Sequence, residues 1–517
     1  MRIKIGIMTG LCALFAFAVP NGQAFTKDSL VWKKCTACHE PTGGKISRVE
    51  EIRTTPEEWT VIVDRMARLH GMDLKKTEMD TLLKELCSTQ ILSPDELGKV
   101  TYLNLYNNPQ TVEKTSGAAD EKLFATCVRC HSGGKIYSYR MTRPAWAKLR
   151  DFHLYMDPAV VFQMREMHWN KEADTVLASL ASSHSYGSAW IAPKQSPVGR
   201  WLILGHEPGK GDYRGQAIIK SLGNDEYAVE GSYTFADGSA EKIRGEATLY
   251  GGHALRTRTV QNGYRALGAF TLDDGVLKGE HHLPAPDYRT SASTWYPADG
   301  QAKLLKVSPA YLLAGETTTL TIEGVDLPRI TAGDVRIGGS DVKILSAKSI
   351  SDNAVEVQAV YRGKGFKKAT IGLKGLNTLS LDLAAQIDHI AITPEIGRAR
   401  ISGGKNFPPE GVQFEAIAFA KGATVADIVR LGPVPAAFKL SEEVTRPTDD
   451  DILWSGSIQK GGKYIPTGDY GPNPSREYHL ENNGLVKVEA EYTRGGHKFL
   501  AKSRLVITLP DFVPRIK

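Results

Sequence analysis

The tightest constraint in this chain is a motif spelled twice. "KKCTACHEPTGGKI" sets Cys35, Cys38 and His39 in a Cys-x-x-Cys-His run, and "TCVRCHSGGKI" repeats it with Cys127, Cys130 and His131. Two thiols three positions apart can add to the two vinyl groups on one edge of a porphyrin, and the adjacent histidine then reaches the iron. A structural zinc site wants four ligands and would leave both histidines unexplained. A redox Cys-x-x-Cys wants a βαβ setting, which neither motif has. The pair therefore specifies two covalently bound haem c groups, attached at Cys35, Cys38, Cys127 and Cys130, with His39 and His131 on the irons.

Both motifs sit in a duplicated module. Gly43-Gly44-Lys45-Ile46, Pro56 and Trp59 follow the first; Gly133-Gly134-Lys135-Ile136, Pro144 and Trp146 follow the second. If the copies superpose, Met66, seven residues after Trp59, answers to His153, seven after Trp146. The expected pairs are His39 with Met66 and His131 with His153. A thioether raises the reduction potential relative to a second imidazole, so the two haems would be unequal and electron flow would have a direction. The plainer alternatives are a core methionine and a surface histidine. His70, Met72, Met141, Met156, Met164 and His168 are close enough to compete.

The first 24 residues read as a cleavable secretory leader. Arg2 and Lys4 precede an apolar run from about Ile5 to Val19, then come Pro20 and the small residues Gly22 and Ala24. A periplasmic chain beginning near Phe25 is expected, long enough for three or four domains with sizeable cores. The net charge of +6, partly from Arg2 and Lys4, is too weak to argue for nucleic acid or a membrane. Of the six cysteines, Cys12 leaves with the leader and Cys87 stands alone, a structural thiol by expectation.

Beyond Met167 there is neither Cys nor Met, so soft iron ligands are confined to the first third. That third reads as helical through "TPEEWTVIVDRMARLHG", "KKTEMDTLLKELCSTQ", "SPDELGKVTYLNLYN", "RPAWAKLRDFHLYM" and "DPAVVFQMREMHWNKEADTVLASLASS". From about Pro193 short alternating segments take over, broken by Gly-Asn-Asp, Ala-Asp-Gly and Asp-Asp-Gly turns. The fold expected is multidomain α + β. A helical dihaem cytochrome c domain (25–185) precedes a lipocalin-like antiparallel β-barrel (186–300), which opens on Gly199-Arg-Trp201. Two immunoglobulin-like β-sandwich domains follow (301–387 and 388–517). None of the usual hydrolase, metalloprotease or nucleotide-binding motifs is present. His281 and His282 are expected at the surface, because neighbours on a strand face opposite ways and cannot easily share a metal. Asp449, Asp450 and Asp451 are expected in a solvated loop, and Trp190, Trp201, Trp295 and Trp454 in cores or interfaces.

In this order the parts resemble the alpha, or large, subunit of quinohaemoprotein amine dehydrogenase over essentially the whole chain after the leader. The resemblance implies a heterotrimer with a β-propeller subunit and a small subunit carrying cysteine tryptophylquinone. Primary amines would be oxidised to aldehyde and ammonia at that quinone, and electrons would pass through this chain to a soluble blue-copper protein or cytochrome c. No catalytic residue is assigned here, since a cofactor built from this chain's own side chains would need a spare cysteine and only Cys87 is available. Two other readings stay open: a stand-alone periplasmic dihaem electron carrier with β binding modules, and a dihaem peroxidase, against which a candidate distal ligand in both copies argues.

Overall fold

A computed structural model of the chain describes residues 25–100, 113–128, 130–193, 195–283, 289–298, 300–339, 341–401, 409–424, 426–445, 447, 449–467 and 482–508. The expected leader and the "TYLNLYN" run lie outside the described residues. Helices occupy the first part: α1 (Leu30–Cys35), α2 (Pro56–His70), α3 (Met79–Thr89), α4 (Pro94–Leu97), α5 (Ala118–Cys127), α6 (Gly133–Tyr137), α7 (Arg143–Ala147), α8 (Leu149–Met156), α9 (Val160–Gln163) and α10 (Trp169–Ser183). Local sequence explains α2. The Thr55 side chain accepts the Glu58 N–H, Pro56 opens the first turn, Glu57 and Glu58 sit at the positive end of the dipole, and Gly71 ends the helix at φ +70°. The helical stretch "RPAWAKLRDFHLYM" is two helices, because the backbone tightens at Lys148 (φ −71°, ψ −14°).

The duplication is visible in three dimensions. Strands β1 (Pro41–Thr42) and β2 (Lys45–Ile46) form a hairpin in the first copy, turned by Gly43 and Gly44 at φ +60° and +80°. In the second copy the same Gly-Gly-Lys-Ile letters start α6, capped by Ser132. Downstream the copies converge. β3 (Ile52–Arg53) pairs antiparallel with β4 (Arg140–Met141), setting Arg53 opposite Arg140. The Trp59 indole donates to the Gln90 carbonyl at 2.6 Å, and the Trp146 indole to the His184 carbonyl at 3.0 Å. Gln90 closes α3 and His184 closes α10. Those same carbonyls also accept the Thr54 and Met141 N–H groups, each at 3.2 Å. Each tryptophan thus ties its helix to the end of the helix that closes its own copy.

Eight strands then close a barrel: β5 (Gly199–Glu207), β6 (Gly211–Gly223), β7 (Glu226–Phe235), β8 (Ala240–Tyr250), β9 (Ala254–Gln261), β10 (Tyr264–Asp273), β11 (Val276–His282) and β12 (Thr290–Pro297). Each pairs antiparallel with the next, and β12 returns to β5. Asn224-Asp225, Asn262-Gly263 and Asp274-Gly275 have positive φ at both turn positions, the backbone that two-residue hairpins need to match strand twist. Trp201, Tyr213, Tyr233, Phe270 and Trp295 fill the interior. One expectation fails on β11. His281 and His282 are 3% and 1% exposed, so neither is a surface residue. His281 packs in the interior at 5.0 Å from the Phe270 ring, and the opposite face of the strand, where His282 lies, is covered as well.

Two further β units follow. In the first, Lys303–Ser308, Thr317–Val325, Ala354–Tyr361 and Val342–Ser351 form one sheet, and Tyr311–Leu313, Thr378–Ala384, Lys367–Leu373 and Val335–Ile337 the other. Both contribute to one core, with Leu320, Ile322 and Val357 from the first sheet and Ile371, Leu381 and Leu383 from the second. The last unit buries Ile390, Phe414, Ala416, Val486, Leu505 and Ile507 among its sheets. The acidic run there differs from expectation. Asp451 is 2% exposed and accepts the Leu485 N–H at 2.8 Å, which anchors a short 3₁₀ turn rather than a solvated loop.

The units share surfaces. Tyr250 and Ala254, at the turn between β8 and β9, belong to the helical domain's core alongside Cys87, Ile91 and Leu92. Between them Gly251 (φ +56°) approaches so closely that an added Cβ would lie 2.7 Å from the Cys87 carbonyl oxygen. Arg256 of β9 pairs with Glu57 of α2. At the far side His206 of β5 bridges Asp212 of β6 and Glu415 of the last unit, each at 2.8 Å. Lys306 and Ser308 of the third unit reach the same Asp212 at 2.7 and 2.6 Å.

Candidate functional site

Each motif lies where a helix ends. Cys35 is the last residue of α1, whose start is capped by Ser29 and whose Val31 N–H is held by the Glu85 carboxylate at 2.8 Å. The chain then tightens, with the His39 N–H reaching the Cys35 carbonyl at 2.9 Å. Cys127 likewise ends α5. In both motifs the first cysteine is half-buried and the second exposed. Burial, then Cys38 and Glu85, push the Cys35 thiol up to about 11; burial, then Cys130, pushes Cys127 up to about 12. After the second motif Glu113 accepts the Gly133 and Gly134 N–H groups at 2.8 and 2.5 Å, fixing the loop that leaves His131.

The structure brings His131 and His153 together. Their ring centroids are 6.3 Å apart with the planes at 44°. Two metal–imidazole bonds of about 2 Å, plus the radii of both rings, span about this distance. Each Nδ1 faces a backbone carbonyl, Ser132 at 3.2 Å for His131 and Leu149 at 2.7 Å for His153. That contact places the proton on Nδ1 and leaves both Nε2 atoms as basic nitrogens, the tautomer a metal requires. Burial first, opposed by the Ser132 carbonyl and assisted by the neighbouring His153, pushes His131 down to about 4. The donor set fits a metal held between two neutral imidazoles.

The first site is arranged differently. Burial, then Arg48, then His70 lower the pKa of His39 from its ordinary value. His70 is on the last turn of α2, one turn beyond Met66, so both belong to the helix end whose charge His39 feels. Met66 is half-buried and is not among the apolar side chains packed into the neighbouring core. The competing residues have other employment. Met141 and Met164 are core residues, Met72 packs partly into the core, Met156 is 42% exposed, and His168 is the exposed residue before α10. His70 itself is exposed and stacks on Tyr155 at 6.5 Å. Cys87 is wholly buried, its thiol raised by burial. Among the described residues no group of three or more His, Cys, Asp or Glu could hold a metal ion.

Sequence reasoning missed the contact that joins the two sites. Arg65, six residues after Trp59, places its guanidinium 4.7 Å over the ring of Phe152, six residues after Trp146. The alignment that paired Met66 with His153 also pairs these neighbours, so the signal was present in the register but carried no haem chemistry of its own.

Three family models match the chain in order. One describes the quinohemoprotein amine dehydrogenase A alpha subunit, haem binding, over residues 25–190. A second describes domain II of the quinohemoprotein amine dehydrogenase alpha subunit over 194–291, and a third its domain IV over 390–516. No curated protein matches. Among solved structures, a redesigned β-barrel is similar at 16% identity and TM-score 0.18, over 19% of this chain and 89% of that one. Zebrafish RET cadherin-like domains 1 to 4 are similar at 8% identity and TM-score 0.17, over 60% of this chain and 66% of that one.

Proposed function

Because the chain belongs to the quinohaemoprotein amine dehydrogenase alpha-subunit family, one subunit of a multisubunit oxidoreductase, we propose that it is the dihaem electron-transfer subunit of a periplasmic amine dehydrogenase. It relays electrons released from a primary amine, at a quinone cofactor on a small partner subunit, to a soluble redox carrier. The observation that carries this reading is the His131–His153 pair, two rings at metal-spanning distance with both Nδ1 atoms committed to carbonyls.

The residues divide the work. Cys35 and Cys38, and Cys127 and Cys130, attach one haem c each through thioether links. His39 and Met66 hold one iron, His131 and His153 the other. When bound, the haems supply one-electron storage at two unequal potentials. Ser132 and Leu149 fix the imidazole tautomers, and Glu113 steadies the backbone beside His131. The cysteine tryptophylquinone, a β-propeller subunit, and a blue-copper or cytochrome c acceptor complete the proposed system as partners. The barrel is read as lipocalin-like and the last two units as immunoglobulin-like, serving as scaffold.

The test uses native protein from the periplasm, kept with whatever accompanies it. A primary amine added without oxygen is expected to raise the reduced haem α-band, with two smaller chains co-purifying. A chain that arrives alone, stays oxidised with amine and is reduced by ascorbate would be the stand-alone electron carrier instead.

A further inference from the structure

Among the described residues Arg65, half-buried on α2, makes no ion pair. Its Nε is closed off from solvent and has no hydrogen-bond partner among the described residues. The carboxylates around it are committed elsewhere. Asp64 pairs with Arg68 at 2.7 Å. Glu58, whose charge Tyr139 feels together with that of Arg65, accepts Lys135 at 2.7 and 2.9 Å and the Tyr139 hydroxyl at 2.5 Å. The face of Phe152 attracts a cation, but a ring quadrupole gives the shielded Nε–H no acceptor and the charge no counter-ion.

Position narrows the missing partner. Arg65 directly precedes Met66 on α2, and Phe152 directly precedes His153 on α8, so the cation lies where the two distal-ligand helices meet. Haem c carries two propionate carboxylates, and a planar guanidinium takes a carboxylate through paired N–H donors. Resting on the haem reading above, we infer that Arg65 pairs with a haem propionate at the contact between α2 and α8 and thereby sets the reduction potential of that haem. A cation held there disfavours the ferric state, which carries one more positive charge than the ferrous, and so raises the potential.

The test is made on the full-length holoprotein in its native complex. Arg65→Met keeps the length and the apolar stem over Phe152 but removes the charge; Arg65→Lys keeps the charge without the paired fork. Haem content is counted by the pyridine haemochrome, and midpoints are read by dye-mediated titration of the α-band. Arg65→Met is expected to keep two haems and to make one of them about tenfold harder to reduce, ~59 mV for one electron. Arg65→Lys is expected to fall by a smaller amount. Two unchanged midpoints in Arg65→Met at full haem content would overturn the inference. Should that variant not accumulate, Arg65→Lys decides it: a lowered midpoint supports the pairing, unchanged midpoints sink it. A wild-type chain with fewer than two haems would refute the haem reading itself, which the same count distinguishes.

Discussion

The candidate distal ligands differ in how legible they are in the sequence. His131 and His153 are held with each Nδ1 on a backbone carbonyl; the Cys-x-x-Cys-His motif pointed to the first and the register of the two copies to the second. Met66 and His70 share the end of α2, where spacing cannot decide between them, because i and i+4 lie on one face. Chemistry separates them, since only a thioether gives the weak long-wavelength sulfur-to-iron charge-transfer band of the oxidised protein. Met66→Ala is expected to abolish that band completely and to lower one midpoint, while His70→Ala leaves the band intact. A band that survives Met66→Ala would move the ligand elsewhere. The buried state of His281 and His282 was not legible, because alternation along β11 tells which way a residue faces but not what covers that face.

At the scale of elements, capping residues made α2 readable to within a residue, and the helix-then-strand order of the chain was plain from periodicity. The break at Lys148 and the hairpin-versus-helix fates of Gly-Gly-Lys-Ile were not. The second motif has two residues fewer between His and Gly-Gly-Lys, with a serine placed to cap, so the same letters take different backbones. What joins the copies is long-range: Glu96 of α4 receives Arg53 at 2.8 Å and Arg140 at 2.9 Å, the two residues paired across β3 and β4. Burial would raise the Glu96 carboxyl, but hydrogen bonds from Arg53 and the Ser93 N–H, with both arginine charges, hold it down at about 2. A depressed carboxylate stabilises the fold above its ordinary pKa, about 4.5, and loses that contribution as pH falls toward 2. Glu96→Gln is therefore expected to cost about 2 kcal/mol at pH 7, allowing for its partial exposure, and to flatten stability between pH 4.5 and 2. Chemical denaturation across that range checks it; an unchanged slope would remove Glu96 from the account.

The whole molecule is tied at joints that no local pattern announces, since Glu57 and Arg256, or His206 and Glu415, are some two hundred positions apart. His206 is the most connected of them. Burial would lower its pKa, but hydrogen bonds and charge from Asp212 and Glu415 outweigh that and raise it to about 9. The groups facing it are Asp212 and Glu415, and Asp212 is shared with Lys306. A raised histidine stabilises fully below its ordinary value of 6.5 and loses that contribution as pH climbs through about 9. The wild-type chain is expected to lose about 2 kcal/mol between pH 6.5 and 9.5, and His206→Gln to show little of that slope. Thermal unfolding at a series of pH values decides it, and equal slopes would discard the joint.

The turn between β8 and β9 has a consequence in time. Tyr250 and Ala254 complete the core that surrounds Cys87, yet they follow the second motif by about 120 residues. A chain emerging N-terminus first, at about 5–20 residues per second, leaves its helical part without that plug for roughly 6–24 s after Cys130 has appeared. During that interval both motifs belong to an unfinished domain, and the later arrival of the barrel turn is what seals it.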